Sequence, residues 1–231
     1  MNKILSTLLL AFMLTSCAPD GKHLFILSGQ SNMARLDPNI SFSPAVADEF
    51  GEDNILVVKD AAGGQPIRRW FKNWHPEGED IPEGNGDLYD RLMAKVDSVT
   101  AESTIRSVTF LWMQGERDAR EEHGNVYEAS FVGLLDQIRT HLSHPDVNFV
   151  IGRLSDFDLE DANYPDWTLI REIQMGIAEE SNLGAWIDTD DLNDGLNQNG
   201  DTIENDLHMS VEGYRIMGER FAQQAIELIR N

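Results

Sequence analysis

The sequence predicts an α/β protein, a three-layer α/β/α sandwich built on a five-stranded parallel sheet. Three observations carry this. Short runs of branched and aromatic residues alternate with longer stretches of helical period. The short runs are almost continuously apolar, as strands buried on both faces are. The alternation repeats five times, so helices are available for both faces of one sheet.

In chain order, strands are expected at 24–28, 54–59, 107–113, 147–152 and 184–188, and helices at about 43–50, 87–100, 124–142, 166–181 and 211–229. The last helix is the best marked. Ser210 stands where a cap is needed, Glu212 lies in the first turn, and Tyr214, Met217, Phe221, Ala225 and Leu228 recur on one side. That stripe is core. No repeat, low-complexity tract or Ser/Gly-rich linker divides the chain, so residues 24–231 form one domain, a length sufficient for one well-packed core.

The N-terminus reads as a targeting segment and stands apart from the fold. Lys3 precedes an apolar stretch from Ile4 to Leu14, too short to span a bilayer, and Leu14-Thr15-Ser16-Cys17 resembles a bacterial lipobox. The expectation is a signal peptide over 1–16, a lipidated Cys17 and a tether over 17–23. The acyl chains anchor the protein to the cell envelope, at the outer membrane. Cys17 is the one cysteine of 231 residues, which excludes an internal disulfide and every cysteine-based catalytic or zinc signature. A net charge of −22 argues against nucleic acid or anionic lipid as a ligand. The membrane contact expected is the lipid alone.

Two loops are longer than packing requires. Residues 60–86 hold Trp70, Phe71, Trp74 and His75 with Arg68 and Arg69. Such a loop suits either a sugar-binding face, to which Trp112 would add, or a satellite apolar cluster. Residues 188–206 are rich in acidic and amide oxygens but fail calcium-loop spacing: with Gly195 at the sixth position, Leu192 falls at the third. The expectation there is a polar loop that positions His208, without a metal. The remaining histidines show no metal-binding spacing.

The chemistry concentrates in four segments. Ser31 follows the first strand within Gly29-Gln30-Ser31-Asn32-Met33, and Asp206-Leu207-His208 precedes the last helix. In a parallel sheet the carboxyl ends of the strands meet in one crevice, so a serine there can meet a base from elsewhere in the chain. A serine hydroxyl needs that base, and donors for the oxyanion, to attack a carbonyl. Between these segments lie AAGGQPIRRW at 61–70 and WMQGERDA at 112–119.

Together the four blocks resemble the SGNH hydrolase superfamily, and within it the sialate O-acetylesterase and carbohydrate esterase family six group. The resemblance runs in the family's order over 24–229. It implies Ser31 as nucleophile and His208 as general base, with an oxyanion hole formed by Ser31, Gly64 or its neighbour Gly63, and the amide of Gln114. It also implies substrate-positioning roles for Gln30, Asn32, Glu116 and Asn205. No cofactor is implied. The family's final block reads Asp-x-x-His, but here Asn205 stands three residues before His208. An asparagine can fix the imidazole tautomer without stabilising its charge. Asp206 is therefore the first choice for the acid, with Asp201 and Asp194 behind it.

The implied activity is a serine esterase that removes O-acetyl groups from a carbohydrate, sialate or an acetylated polysaccharide, through an acyl-enzyme. The alternatives are a lipid or thioester hydrolase on the same residues, or a glycan-binding lipoprotein with weakened catalysis. An α/β-hydrolase fits less well, because Met33 occupies the second glycine of its Gly-x-Ser-x-Gly elbow and Ser31 follows the first strand.

Overall fold

A computed structural model describes residues 21–76, 78 and 83–231. The signal peptide and Cys17 therefore lie outside the described residues. The main sheet is parallel and ordered β2-β1-β3-β4-β5, with β1 at Lys22–Gly29, β2 at Ile55–Ala61, β3 at Ile105–Met113, β4 at Val147–Gly152 and β5 at Gly184–Ile187. Residues 22 and 23, expected in the tether, already pair in this sheet: His23 lies opposite Ile55 and Ser107.

Alternation along the strands sorts the core into two layers. Leu24, Ile26, Phe110 and Trp112 face one side and pack with α3 (Asp87–Thr100), α5 (Gly124–Leu142) and α6 (Trp167–Glu179) through Leu92, Phe131 and Ile170. Phe25, Leu27, Leu111 and Met113 face the other and meet α2 (Phe42–Phe50) and α7 (Val211–Arg230) through Phe42, Val46, Met217 and Phe221. Each layer thus consumes every second residue of a strand, which is why the strands read as unbroken apolar runs. The expected strands and long helices all occur. Two five-residue helices go beyond expectation, α1 at Ser31–Arg35 and α4 at Glu116–Arg120, as does a small antiparallel pair of β6 (Gly195–Leu196) and β7 (Thr202–Ile203) inside the acidic loop.

The register places the chemistry. Gly29 pairs with Ala61 on one side and Met113 on the other, so three chain segments leave the sheet at one level: Gln30-Ser31, Ala62 onward, and Gln114 onward. Gly29 has φ +142°, and a Cβ there would fall 2.0 Å from the Met113 carbonyl oxygen, so only glycine permits this approach.

The 60–86 loop is anchored by its two tryptophans rather than displaying them. Trp70 and Trp74 are fully buried, and Trp70 meets Trp112 edge to face at 5.2 Å. The sugar-platform alternative for Trp70, Trp74 and Trp112 is thereby corrected: these rings fill core. Arg69 pairs with Asp87 at 2.5 Å and Arg68 reaches the Glu83 carbonyl. The acidic loop spends its carboxylates internally. Asp188 and Asp190 bind Arg153, Asp190 also binds Arg171, and Asp191 binds Arg220. Among the described residues no group of three or more His, Cys, Asp or Glu could hold a metal ion.

Candidate active site

Ser31 is the first residue of α1, where backbone N–H groups lack intrahelical partners. His208 lies on the far side of the sequence, in the loop that enters α7. Its Nε2 is 3.1 Å from Ser31 Oγ, within hydrogen-bond reach. The two line a pocket of about 300 Å³ with Gln30, Gly63, Gly64, Glu116, Arg117, Arg120, Tyr164 and Leu207.

Ser31 and His208 are held together by their neighbour Asn32. Its side chain is buried, and its Nδ2 donates to the Leu207 carbonyl at 3.1 Å and to Glu116 Oε1 at 3.0 Å. Its Oδ1 accepts the Met209 N–H at 3.4 Å and the Tyr214 hydroxyl at 2.9 Å. The residues before and after His208 are thus both fastened to the residue after Ser31. Asn32 does not line the pocket, so the substrate-positioning role expected for it is replaced by one inside the protein. Behind it, Gly213 lets α7 approach the acidic loop, since a Cβ there would fall 2.0 Å from the Leu192 carbonyl oxygen. Ser210 caps α7 by accepting the Gly213 N–H at 3.0 Å.

Burial lowers the His208 pKa below its ordinary value, the charge of Arg35 lowers it further, and Asp206 opposes both. A base that must accept the Ser31 proton is favoured in its neutral form by the first two. Asp206 is the nearest of the three acids considered, but not tightly placed. Its Oδ1 accepts the His208 backbone N–H at 2.8 Å and stands 3.8 Å from Nδ1, beyond hydrogen-bond length. Asp201 bonds to Asn197, and Asp194 accepts the Asn205 N–H at 2.7 Å.

Asn205 turns away from His208. Its φ is +43°, its Oδ1 accepts from Asn193 Nδ2 at 3.1 Å, and its Nδ2 reaches the Phe157 carbonyl. It is absent from the pocket lining.

The amide expected at the oxyanion is also displaced. Gln114 is fully buried beneath the pocket, and its Nε2 is within reach of three acceptors: Gln30 Oε1 at 3.3 Å, the Gln65 carbonyl at 3.1 Å and Asp118 Oδ2 at 2.5 Å. Two protons cannot serve three acceptors and an oxyanion as well. Gln30, whose Oε1 takes bonds from Gln114 and the Arg117 N–H, is the glutamine that lines the pocket.

Glu116 lines the pocket while almost wholly buried, and its Oε2 has no partner. Burial raises its pKa to about 7. Arg117, Arg120 and Tyr164 complete the wall and were not singled out from sequence. The two arginines follow Glu116 on α4, where positions three and four apart share a side. Tyr164 comes from an irregular segment folded around Asp158, whose carboxylate accepts the N–H groups of Ala162, Asn163 and Tyr164. No hydrophobic period marks that segment.

The comparisons with known proteins agree with this geometry. Residues 34–227 match the family described as carbohydrate esterase, sialic acid-specific acetylesterase. Ser31 stands just ahead of the matched span. No curated protein matches the chain. Among solved structures, a protein of Arabidopsis thaliana superposes with a TM-score of 0.66 at 20% identity, over 90% of this chain and 98% of that one. A carbohydrate acetylesterase from Xanthomonas citri gives 0.61 at 16% identity, over 89% of this chain and 56% of that one. A carbohydrate acetylesterase family member from Sinorhizobium meliloti gives 0.55 at 13% identity, over 91% and 100%. At these identities the superpositions speak for the fold, and the sequence match carries the family: the chain belongs to the sialic acid-specific acetylesterase family of carbohydrate esterases and is a carboxylic-ester hydrolase.

Proposed function

We propose that this protein removes O-acetyl groups from a carbohydrate, sialate or an acetylated polysaccharide, by a serine-esterase mechanism centred on Ser31 and His208. The observation that carries the reading is the 3.1 Å approach of Ser31 Oγ to His208 Nε2 in the lining of one pocket. In the first half-reaction His208 Nε2 takes the Ser31 proton as Oγ bonds to the acetyl carbon. The carbonyl oxygen becomes an oxyanion facing the N–H groups of Ser31 and of Gly63 or Gly64, with the Gln30 amide beside them. The carbon–oxygen bond to the sugar breaks, and the proton on Nε2 passes to the departing sugar oxygen. Water then attacks the acetyl-enzyme with its proton drawn to Nε2, releasing acetate and restoring Ser31.

A pocket of about 300 Å³ is at the small end for a ligand site, and its wall carries Glu116, Arg117, Arg120 and the Tyr164 ring. This supports a short acyl group and a hydroxyl-rich alcohol over a lipid, whose added methylenes would each gain up to about 0.8 kcal/mol in an apolar channel. The test compares 4-nitrophenyl acetate with the octanoate and follows acetate release from O-acetylsialate and acetylated oligosaccharides. Turnover should fall steeply with chain length, and at least one glycan should release acetate. Equal octanoate turnover with no acetate from any glycan favours a lipid esterase. The Leu14-Thr15-Ser16-Cys17 sequence further supports a lipid-anchored protein of the cell envelope. Cys17→Ser should then abolish fatty-acid labelling and release the protein to the soluble fraction.

A further inference from the structure

Asp118 touches neither the pocket nor the nucleophile, yet the contacts that shape one wall of the pocket pass through its carboxylate. The side chain is fully buried on α4. A single oxygen, Oδ2, accepts the backbone N–H of Ile67 at 2.9 Å and the amide of Gln114 at 2.5 Å. Ile67 ends the segment that carries Gly63 and Gly64 past Ser31, and a Cβ on Gly63 would lie 3.7 Å from the Ser31 Cβ. Gln114 Nε2 also lies within reach of the Gln65 carbonyl in that segment and of Gln30 Oε1, immediately before Ser31. One carboxylate oxygen therefore ties the exit of β2 to the exit of β3 and, through Gln114, to the residue ahead of the nucleophile.

A hydrogen-bond acceptor alone would not require a carboxylate here. A neutral side chain could accept the same N–H groups at a smaller desolvation cost. Burial raises the Asp118 pKa to about 6, so its hydrogen bonds do not fully offset that cost, and Oδ1 has no partner. What the charge adds is strength in two charge-assisted bonds, both to groups that fix the donors opposite Ser31.

We propose that Asp118 is a positioning residue for the oxyanion side of the site: it locks the 62–67 segment and, through Gln114, the side chain of Gln30, so that the N–H groups of Gly63 or Gly64 and the Gln30 amide meet the developing oxyanion. The inference rests on the esterase reading above. It predicts a loss in the transition state rather than in substrate binding, because donors displaced by a fraction of an ångström still admit the substrate.

The test uses the full chain and 4-nitrophenyl acetate. Asp118→Asn should lower kcat by about 10²-fold, the scale of one lost oxyanion donor, while KM moves by less than about 3-fold. Gln114→Met should give a loss of similar size, and the double variant should lose no more than the larger single one, because both act on one network. Should Asp118→Asn fail to fold, Asp118→Ser, which keeps a hydroxyl to accept one of the two donors, takes its place in the cycle. Unchanged kcat with only a lowered Tm, or losses that multiply in the double variant, would overturn the inference. Ester turnover by the wild type that disappears in Ser31→Ala keeps the two readings separate. If turnover is present and Asp118→Asn matches the wild type, only the Asp118 inference fails. If the wild type cleaves no ester, the esterase reading fails and this one with it.

Discussion

The nucleophile and its base sit 3.1 Å apart on supports of different kinds. Ser31 leaves a strand paired on both sides, after a glycine that no other residue can replace, and between Gln30 and Asn32, both buried. His208 is borne by a loop whose order comes from polar contacts: Asn32 at Leu207 and Met209, Asp206 at the His208 N–H, and Asp194 at Asn205. Sheet register determines the first support and side-chain hydrogen bonds the second. The serine's placement should therefore depend on the backbone, Gly29 above all, and the histidine's should respond to the loss of single polar groups.

The largest effects come from removing either partner. Ser31→Ala and His208→Ala should each lower acetyl-ester turnover by about 10⁴-fold or more, since such groups act as a unit, with Tm nearly unchanged. Fluorophosphonate labelling of Ser31 checks the same point without a substrate. More than a tenth of wild-type turnover in purified Ser31→Ala would remove the serine from the mechanism.

Asn32 is the seam between the two supports, and cutting it should come next. Asn32→Leu removes four hydrogen bonds and leaves the Leu207 carbonyl and Glu116 Oε1 without their donor. A turnover loss of about 10²-fold is expected, because small misplacements of a base are costly, with a fall in Tm from the orphaned buried groups. Tyr214→Phe removes one of the four and should cost less than 10-fold. A larger loss from Tyr214→Phe than from Asn32→Leu would show that the histidine loop is held by α7 rather than by the nucleophile helix.

Asp206 tests how much acid the histidine uses. At 3.8 Å from Nδ1 and part-exposed, it supplies charge without a hydrogen bond, so Asp206→Asn should cost about 10- to 100-fold, well short of the 10⁴-fold typical of a tightly bonded triad aspartate. The pH profile supplies the sign. Turnover requires neutral His208, so kcat/KM should fall as pH drops through a pKa below 6.5. Asp206 raises that pKa, so its removal should move the acid limb to still lower pH. A shift upward would mean that another group titrates. A 10⁴-fold loss would mean that Asp206 closes on Nδ1 during the reaction.

Most of the fold was legible because each strand spends alternate residues on two layers, and continuous apolar runs record that. The helices over 87–100 and 124–142 were legible from their apolar residues at helical spacing. Ser31 was legible because it follows the first strand at the sheet's carboxyl edge, and His208 because its segment ahead of the last helix resembles the family's final block. The misplacements share a cause. Gln114, Asn32 and Asn205 are amides, and an amide side chain reads alike whether it faces a substrate or satisfies a buried carbonyl. Trp70 and Trp74 were equally ambiguous, since a ring in a long loop can cover core or offer a platform. Arg117 and Arg120 sit on a helix of five residues, too short to show a period, and Asp118 acts through a backbone N–H that no side-chain pattern records.

The smallest expected effect is the most pointed. Asn205 occupies the position where the family carries aspartate, and its side chain bonds Asn193 and the Phe157 carbonyl instead of His208. Asparagine suits φ +43°, and aspartate tolerates that conformation nearly as well, so Asn205→Asp should fold. The new carboxylate would lose the bond to the Phe157 carbonyl and stand near Asp194, which accepts the Asn205 N–H, and Asp156, which shares Asn193 with it. Repulsion should lower Tm by a degree or two, and more at low salt. With His208 held elsewhere by Asn32, kcat/KM should stay within about 3-fold of wild type. A gain of 10-fold or more would mean that the loop can turn its 205 side chain toward Nδ1. The polar support of the histidine would then be adjustable in a way that the sheet-borne support of the serine is not.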